Sequence, residues 1–273
     1  MSRRAPEPAP FVYPHTRAFQ PAGGRYRGPY RSYSHYNYLR PGPIAALKRR
    51  HFAVALELAR PWFHGTGALD FGCADGILLP SLARYFPRAI GVDRDPAACA
   101  IANAVVADLG LDNVRVVCTA GTGTSDALRT AIGATPRTPY GIAFALETLE
   151  HIGAPNRRDA DALRASTVRD LLALLAPPAR IIVSVPRMTG LAFLAKYGAQ
   201  RLLGVADEPV SLREALDAGV RRDTTALAPR WRGGHVGFDE GTFERAVRGV
   251  ARIHQRRTTW LSALYVLESR DSA

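Results

Sequence analysis

Cysteine is scarce in this chain. Its 273 residues contain three cysteines, Cys73, Cys99 and Cys118, an odd number without the paired spacing of metal ligands. A disulfide-stapled or zinc-ribbon fold is therefore excluded, and free thiols in a reducing cytoplasm are expected. Long apolar runs are also lacking, so no transmembrane segment is predicted. The first residues, MSRRAPEPAP, carry no apolar stretch of the secretory type. We therefore expect a cytoplasmic protein.

Acidic residues are nearly absent from the first 50 positions. Nine arginines and one lysine face a single acid there, so this segment carries nine of the twelve net positive charges. Such a bias favours either contact with an anionic partner such as nucleic acid, or a solvated tail. The sequence RYRGPYRSYSHYNYLRP also interleaves tyrosine and arginine, which suits base stacking or packing against a domain surface. We predict that residues 1–42 form a basic, partly disordered extension, here called the leader.

Apolar periodicity begins after this extension. Helical spacing from Pro43 onward places Ile44, Leu47 and Phe52 near one face of a first helix. Short continuous apolar runs then alternate with helical patterns, which indicates βαβ units and a parallel sheet covered on both faces. The runs predicted as strands are Ala68–Phe71, RAIGVD, VRVVCTA, GIAFAL, RIIVSVP, RIHQRRTTW and LSALYVLES. Asp239 is expected to cap a helix before the last two strands.

The turn after the first strand is the predicted ligand site. It reads Asp70-Phe71-Gly72-Cys73-Ala74-Asp75-Gly76, and glycines allow a tight turn and a close backbone approach to a ligand. The dinucleotide pattern G-x-G-x-x-G fails at two of its three glycines, and no G-K-[ST] follows to make a phosphate loop. The second strand ends at Asp93, 17 residues beyond Gly76. An acid there can accept hydrogen bonds from two ribose hydroxyls.

These motifs, in this order, resemble those of the class I S-adenosylmethionine-dependent methyltransferases. The resemblance rests on LDFGCADG and IGVD, on ALETLEHI, on LLALLAPPARIIVSVP and on GGHVGFDEGTF. It implies an α/β fold with a doubly wound, mostly parallel seven-stranded sheet, the Rossmann-like methyltransferase fold. The implied domain covers residues 43–270, and residues 187–238, inserted after the fifth strand, are expected to form a lid over the methyl acceptor.

The resemblance also implies S-adenosylmethionine as cofactor and assigns roles to matching positions. The turn would line the methionine end and Asp93 would hold the ribose. The implied cofactor-binding residues are Asp70, Gly72, Ala74, Gly76, Asp93, Arg94, Thr119, Ala120 and Leu146. Two departures stand out: the sequence CTAGTG replaces the family's frequent acid after the third strand, and Tyr140-Gly141 stands where an aspartate usually precedes the fourth.

The segment Glu147-Thr148-Leu149-Glu150-His151 follows the fourth strand and carries the candidate catalytic residues, Glu147 and His151. Imidazole exchanges a proton near neutral pH, so His151 is a candidate general base. The order E-x-x-E-H also resembles two methyltransferase branches that bind a divalent metal, those of ubiquinone biosynthesis and of small-RNA 2′-O-methylation. His235 could complete such a site. The alternative, which we favour because E-x-x-E-H is not a closed set of metal ligands, is that these residues orient the loop and the cofactor without a metal.

The expected activity is methyl transfer to an oxygen or nitrogen atom of a small-molecule, glycan or lipid-precursor acceptor. Two alternatives remain at this stage. The basic leader and E-x-x-E-H are compatible with an RNA methyltransferase, and an intact cofactor site without turnover would indicate a non-catalytic partner subunit. No pattern in the sequence specifies an oligomeric state.

Overall fold

The computed structural model describes residues 10–20, 31–119, 130, 140–153, 157–202, 210–230 and 235–270. The chain divides into two compact units. The first comprises Met1–Ala145 with Leu174–Ile182, and the second comprises Leu146–Ala173 with Val183–Ala273. Among the described residues, no helix is both long and apolar enough to cross a membrane.

A seven-stranded sheet confirms the predicted fold class. Its strands are β1 Gly67–Phe71, β2 Ala89–Asp93, β3 Val114–Cys118, β4 Tyr140–Leu146, β5 Arg180–Pro186, β6 Ala251–Thr258 and β7 Ser262–Ser269. They are ordered β3-β2-β1-β4-β5-β7-β6. Parallel pairing joins β1 to β2 and to β4, and β2 to β3, whereas β6 and β7 are antiparallel. The strand order therefore reverses beside β1, where open α/β sheets bind ligands.

Several helices begin where the sequence supplies a proline or a capping side chain. They are α1 Pro43–Ala59, α2 Leu79–Tyr85, α3 Pro96–Asp108, α4 Arg157–Leu174, α5 Gly190–Leu202, α6 Leu212–Leu216 and α7 Glu240–Arg248. Proline opens α1 and α3 because its missing N–H needs no partner at a helix start. Asp95 caps α3 by accepting a hydrogen bond from the Ala97 amide. Asp239 caps α7 as predicted, since one carboxylate oxygen accepts from the amides of Gly241 and Thr242.

Burial separates the central strands from the sheet edges. Every residue of β1 is buried, and so are the first six of β4 and the last six of β5. β3, at one end of the sheet, is only half-buried. Gly91 in β2 allows a close approach: a Cβ atom there would lie 3.0 Å from the Cys73 Sγ atom. The turn after β1 therefore packs directly on β2, which fixes its position.

The described part of the leader, residues 10–20 and 31–42, packs on the rest of the first unit. Phe11 stacks on Phe52 of α1 with 5.2 Å between ring centroids, and Tyr38 meets the same ring edge-on at 5.0 Å. Phe19 is 1% exposed. The Val12 amide donates to the Ser81 hydroxyl at 2.9 Å. These aromatic side chains are thus used for packing within the first unit.

Candidate active site

The turn after β1, residues 72–76, has an unusual backbone that its sequence permits. Gly72 and Gly76 have φ angles of 76° and 86°, and Ala74, where the family has its middle glycine, has a φ of 47°. The left-handed region costs alanine more than glycine, so Ala74 is held there by its surroundings. The amides of Gly72 and Cys73 both donate to the Val92 carbonyl, at 2.8 and 3.0 Å. We call residues 72–76 the glycine turn.

Asp93, at the end of β2, stabilises the glycine turn through a hydrogen bond. Its Oδ2 atom accepts a hydrogen bond from the Ala74 amide at 2.8 Å, and its Oδ1 atom accepts from the Asp95 amide at 2.9 Å. The Thr119 amide donates to the Asp93 carbonyl at 2.8 Å. Because the carboxylate is only half-buried and each oxygen has a second lone pair, it can still accept hydrogen bonds from a ligand. Arg94 is exposed.

Asp70, one residue before the end of β1, is a buried carboxyl group. It is 4% exposed, and burial together with the charge of Asp93 raises its pKa from 3.8 to about 7. A neutral acid is the stable form in such an environment, because burial penalises the charged state. A cationic ligand group beside it would reverse that preference. Of the other implied cofactor residues, Leu146 ends β4, and Ala120 lies outside the described residues.

Glu147 leaves β4 in a strained conformation that Ser184 of β5 stabilises. Its φ angle is 52°, in the left-handed region. The Glu147 amide donates to both the carbonyl and the hydroxyl oxygen of Ser184 at 3.0 Å, and the hydroxyl donates to Glu147 Oε1 at 2.9 Å. Backbone strain held in this way is typical of functional sites. The carboxylate of Glu147 is thereby directed to Ser184.

Glu150, His151 and His235 form a second group, here called the acid–histidine cluster. Glu150 is fully buried, and its Oε1 atom lies 3.8 Å from His151 Nε2 and 3.6 Å from His235 Nε2. The two imidazole rings are 5.7 Å apart and remain partly exposed. Neither Glu150 carboxylate oxygen has a hydrogen-bond partner among the described residues. Burial and the nearby Glu147 raise the Glu150 pKa well above its ordinary value.

Arg164 of α4 organises the cluster. Its Nε atom donates to the carbonyls of Leu149 and Ile152 at 3.1 and 2.8 Å, while Asp161 accepts from Nη1 at 2.8 Å. The short turn that carries Glu150 and His151 is thus held from both ends. The guanidinium also lies 5.1 Å from the ring centroid of Phe238, three residues beyond His235. One buried cation therefore holds the two chain segments that supply the cluster.

Sequence reasoning missed three of the residues that build these sites. No motif in the sequence marks Arg164, and Ser184 lies within the apolar run RIIVSVP that predicts a buried strand. Asp75 looked like a spacer between glycines, yet it is 1% exposed and accepts two hydrogen bonds from Ser34. The only local signal was a polar residue inside an apolar run, as at Ser184 in RIIVSVP.

A family comparison identifies the architecture. The profile of the methyltransferase domain family matches residues 47–238 of the chain, more than half of its length. The chain belongs to the class I S-adenosylmethionine-dependent methyltransferases. It is therefore an enzyme of the transferase class that takes its methyl group from S-adenosylmethionine. Among curated proteins, none matches the chain in sequence.

Solved structures agree with this fold. The PH0226 protein from Pyrococcus horikoshii OT3 superimposes with a TM-score of 0.54 at 13% identity, covering 87% of this chain and 96% of its own. The N-methyltransferase NodS from Bradyrhizobium japonicum WM9, in complex with S-adenosyl-L-homocysteine, superimposes with a TM-score of 0.50 at 11% identity. The alignment covers 82% of this chain and 88% of NodS. At such low identity the likeness concerns the fold alone.

Proposed function

We propose that this methyltransferase modifies an oxygen or nitrogen atom of a small-molecule, glycan or lipid-precursor acceptor, with His151 as general base. The observation that carries the proposal is the acid–histidine cluster. Two partly exposed imidazoles flank a buried carboxyl group that has no hydrogen-bond partner among the described residues. A hydroxyl acceptor is too weakly acidic to react without a base within hydrogen-bond reach, and imidazole meets that need near neutral pH.

The residues that would hold the cofactor fit its chemistry. S-adenosylmethionine supplies an electrophilic methyl group on a good leaving group, so the protein's contribution is alignment and exclusion of water. The glycine turn would approach the methionyl part, and Asp93 would accept hydrogen bonds from the ribose hydroxyls. Asp70 would ionise beside the methionyl ammonium group, because an adjacent cation favours the charged form of a carboxyl.

Glu150 would assist the base. When His151 takes a proton from the acceptor, the resulting imidazolium would lie within about 4 Å of the Glu150 carboxyl group. A neighbouring imidazolium lowers the pKa of a buried acid, and Glu150 would stabilise the protonated His151 when its carboxyl group is ionised. The Nε2 atom of His235 lies 3.6 Å from the same Glu150 carboxylate oxygen. We assign it to positioning of Glu150 or of the acceptor.

A divalent cation is the second candidate use of the cluster. Donor atoms of Glu150, His151 and His235 lie within 4.8 Å of one another, and the unpartnered Glu150 oxygens are an appropriate donor. Carboxylate and imidazole ligands suit Mg²⁺, Mn²⁺ or Zn²⁺. Glu147 is not part of this group, since its carboxylate accepts from Ser184. Three protein ligands would hold the ion and leave positions for water or an acceptor.

The base is tested by methyl transfer from isotopically labelled S-adenosylmethionine to panels of phenols, sugars and amines. His151→Asn should lower turnover on the best acceptor by about 10²- to 10⁴-fold, as expected for loss of a general base. His254→Asn is a matched control, because His254 is an exposed histidine on β6. Equal turnover of wild type and His151→Asn on an oxygen acceptor would remove His151 from the mechanism.

The cation is tested separately from turnover. Manganese binding to the chelator-treated protein is followed by electron paramagnetic resonance, with Glu150→Gln and His235→Asn as variants. Stoichiometric binding that both variants abolish would establish the metal site. Binding that is absent from the wild-type protein would leave the cluster as an acid–base group alone.

A further inference from the structure

The leader is joined to the glycine turn through a buried carboxylate. Asp75, the fourth residue of the turn, is 1% exposed. Its Oδ2 atom accepts a hydrogen bond from the Ser34 amide at 2.8 Å, and its Oδ1 atom accepts from the Ser34 hydroxyl. The Ser32 side chain hydrogen-bonds the same carboxylate. Ser32 and Ser34 are themselves fully buried.

The segment that carries Ser34 is held firmly from its other side. The Ser32 hydroxyl accepts a hydrogen bond at 3.1 Å from the amide of His35, the first residue of the short π-helical turn His35–Leu39. Tyr38 in that turn packs against His51 and Phe52 of α1. Because α1 fixes the leader turn, Ser34 is a rigid donor for Asp75.

Burial raises the pKa of Asp75, and the hydrogen bonds from Ser34 and Ser32 oppose that shift by stabilising the carboxylate. A carboxylate removed from water is stable only when donors replace the water. Here those donors come from the leader, 41 residues earlier in the chain. Asp75 stands between Ala74 and Gly76, whose backbones both lie in the left-handed region. The Gly76 amide closes the turn onto the Cys73 carbonyl at 2.9 Å.

From these contacts we infer that Ser34 is a positioning residue for S-adenosylmethionine, acting through Asp75 to hold the glycine turn in its binding conformation. This inference rests on the proposed use of that turn as the cofactor site. It makes leader docking and cofactor binding mutually reinforcing, because coupling between two binding equilibria is reciprocal. The docked leader would then contribute to the affinity for S-adenosylmethionine without contacting the cofactor.

The matched variants are Ser34→Ala and Thr16→Ala. Both remove one hydroxyl of the leader that donates to an aspartate of the first unit, but Thr16 donates to Asp108 at the end of α3. Calorimetric titration with S-adenosylhomocysteine should show about tenfold weaker binding for Ser34→Ala, the effect of one hydrogen bond to a charged group. Thr16→Ala should bind as the wild type does. Thermal unfolding of each protein without ligand establishes that both are folded at the titration temperature.

A reciprocal readout distinguishes positioning from a general loss of stability. In the wild type, saturating S-adenosylhomocysteine should slow amide hydrogen exchange in residues 31–39, and in Ser34→Ala this protection should be lost. In a double-mutant cycle, Asp75→Asn should abolish most of the additional effect of Ser34→Ala. Unchanged affinity and unchanged protection in a folded Ser34→Ala protein would overturn the inference while leaving the cofactor site intact. Absence of binding to the wild type would instead overturn the cofactor site and this inference together.

Discussion

At the scale of single residues, Asp70 is a buried carboxyl group whose ionisation costs free energy unless a cation lies beside it. The group is buried and lies near Asp93, so the protein keeps a proton on it up to about pH 7. Burying a carboxyl group without a cation disfavours the ionised form. A ligand that brings an ammonium group to this place would release the proton and remove the penalty.

Asp70 should therefore make the ligand-free protein less stable as the pH rises. Its pKa is raised in the folded state, so between the ordinary value of 3.8 and about 7 the unfolded chain releases a proton that the folded chain retains. Urea unfolding of Asp70→Asn and wild type at pH 5 and pH 8 should show this. The unfolding free energy of the variant relative to that of the wild type should be higher at pH 8 than at pH 5, by on the order of 3 kcal/mol.

Asp112→Asn provides the control for this experiment, because Asp112 is an exposed aspartate. It should follow the wild type at both pH values. A stability difference between Asp70→Asn and wild type that does not change with pH would contradict the raised pKa.

At the scale of elements, the connection after β4 depends on a helix that is distant in sequence. The turn Leu149–His151 is three residues long and cannot by itself fix the side chains of Glu150 and His151. Arg164 of α4 supplies the missing constraint through donors to the carbonyls of Leu149, Glu150 and Ile152. The geometry of the acid–histidine cluster therefore depends on Arg164 of α4 as well as on the E-x-x-E-H sequence.

Arg164→Lys should weaken these hydrogen bonds to the turn while keeping the positive charge. Lysine cannot reproduce the planar fork that serves these carbonyls and Asp161 together. We expect a loss of about 2–4 kcal/mol in unfolding free energy and a fall in turnover larger than that in cofactor affinity. Denaturant unfolding and S-adenosylhomocysteine titration measure the two effects. Arg169→Lys, an exposed site on the same helix, should change neither. Equal turnover of Arg164→Lys and wild type would contradict the assigned role.

The helices and strands were largely predictable because their signals are local. Pro43 and Pro96 mark helix starts, Asp239 marks a cap, and continuous apolar runs mark the buried strands. Burial within a helix was less predictable: Ile44 and Leu47 are 46% and 36% exposed, although periodicity placed them with Phe52. The contacts that complete the sites were not predictable. Ser34–Asp75 joins residues 41 positions apart, and no local pattern encodes that pairing.

At the scale of the whole molecule, the uneven charge does not by itself indicate nucleic acid. Residues 1–50 hold most of the net charge of +12. However, several aromatic residues of the leader are engaged within the first unit: Tyr38 is 5% exposed, and the Tyr13 hydroxyl donates to the Leu39 carbonyl. A ring as deeply buried as that of Tyr38 is not available to stack on bases.

We therefore expect weak binding to single-stranded RNA that depends on charge alone. Fluorescence anisotropy should show affinity that falls steeply between about 50 and 200 mM salt, because added salt weakens the counterion release that drives phosphate binding. Binding should be insensitive to sequence. Tight, sequence-dependent binding at the higher salt, together with methylation of the bound RNA, would contradict a small-molecule acceptor and favour the RNA alternative.

The most direct test of the central claim is calorimetric titration of S-adenosylhomocysteine into the wild type, Asp93→Ala and Asp112→Ala. Asp93 accepts from the Ala74 amide and is assigned to the ribose hydroxyls, so its removal should weaken binding by about 2–4 kcal/mol. Asp112→Ala removes an equal charge at an exposed position and should bind like the wild type. Saturable wild-type binding that only Asp93→Ala weakens is the predicted result. A wild-type protein that binds no S-adenosylhomocysteine, or an Asp93→Ala protein that binds it equally well, would contradict the assigned cofactor site.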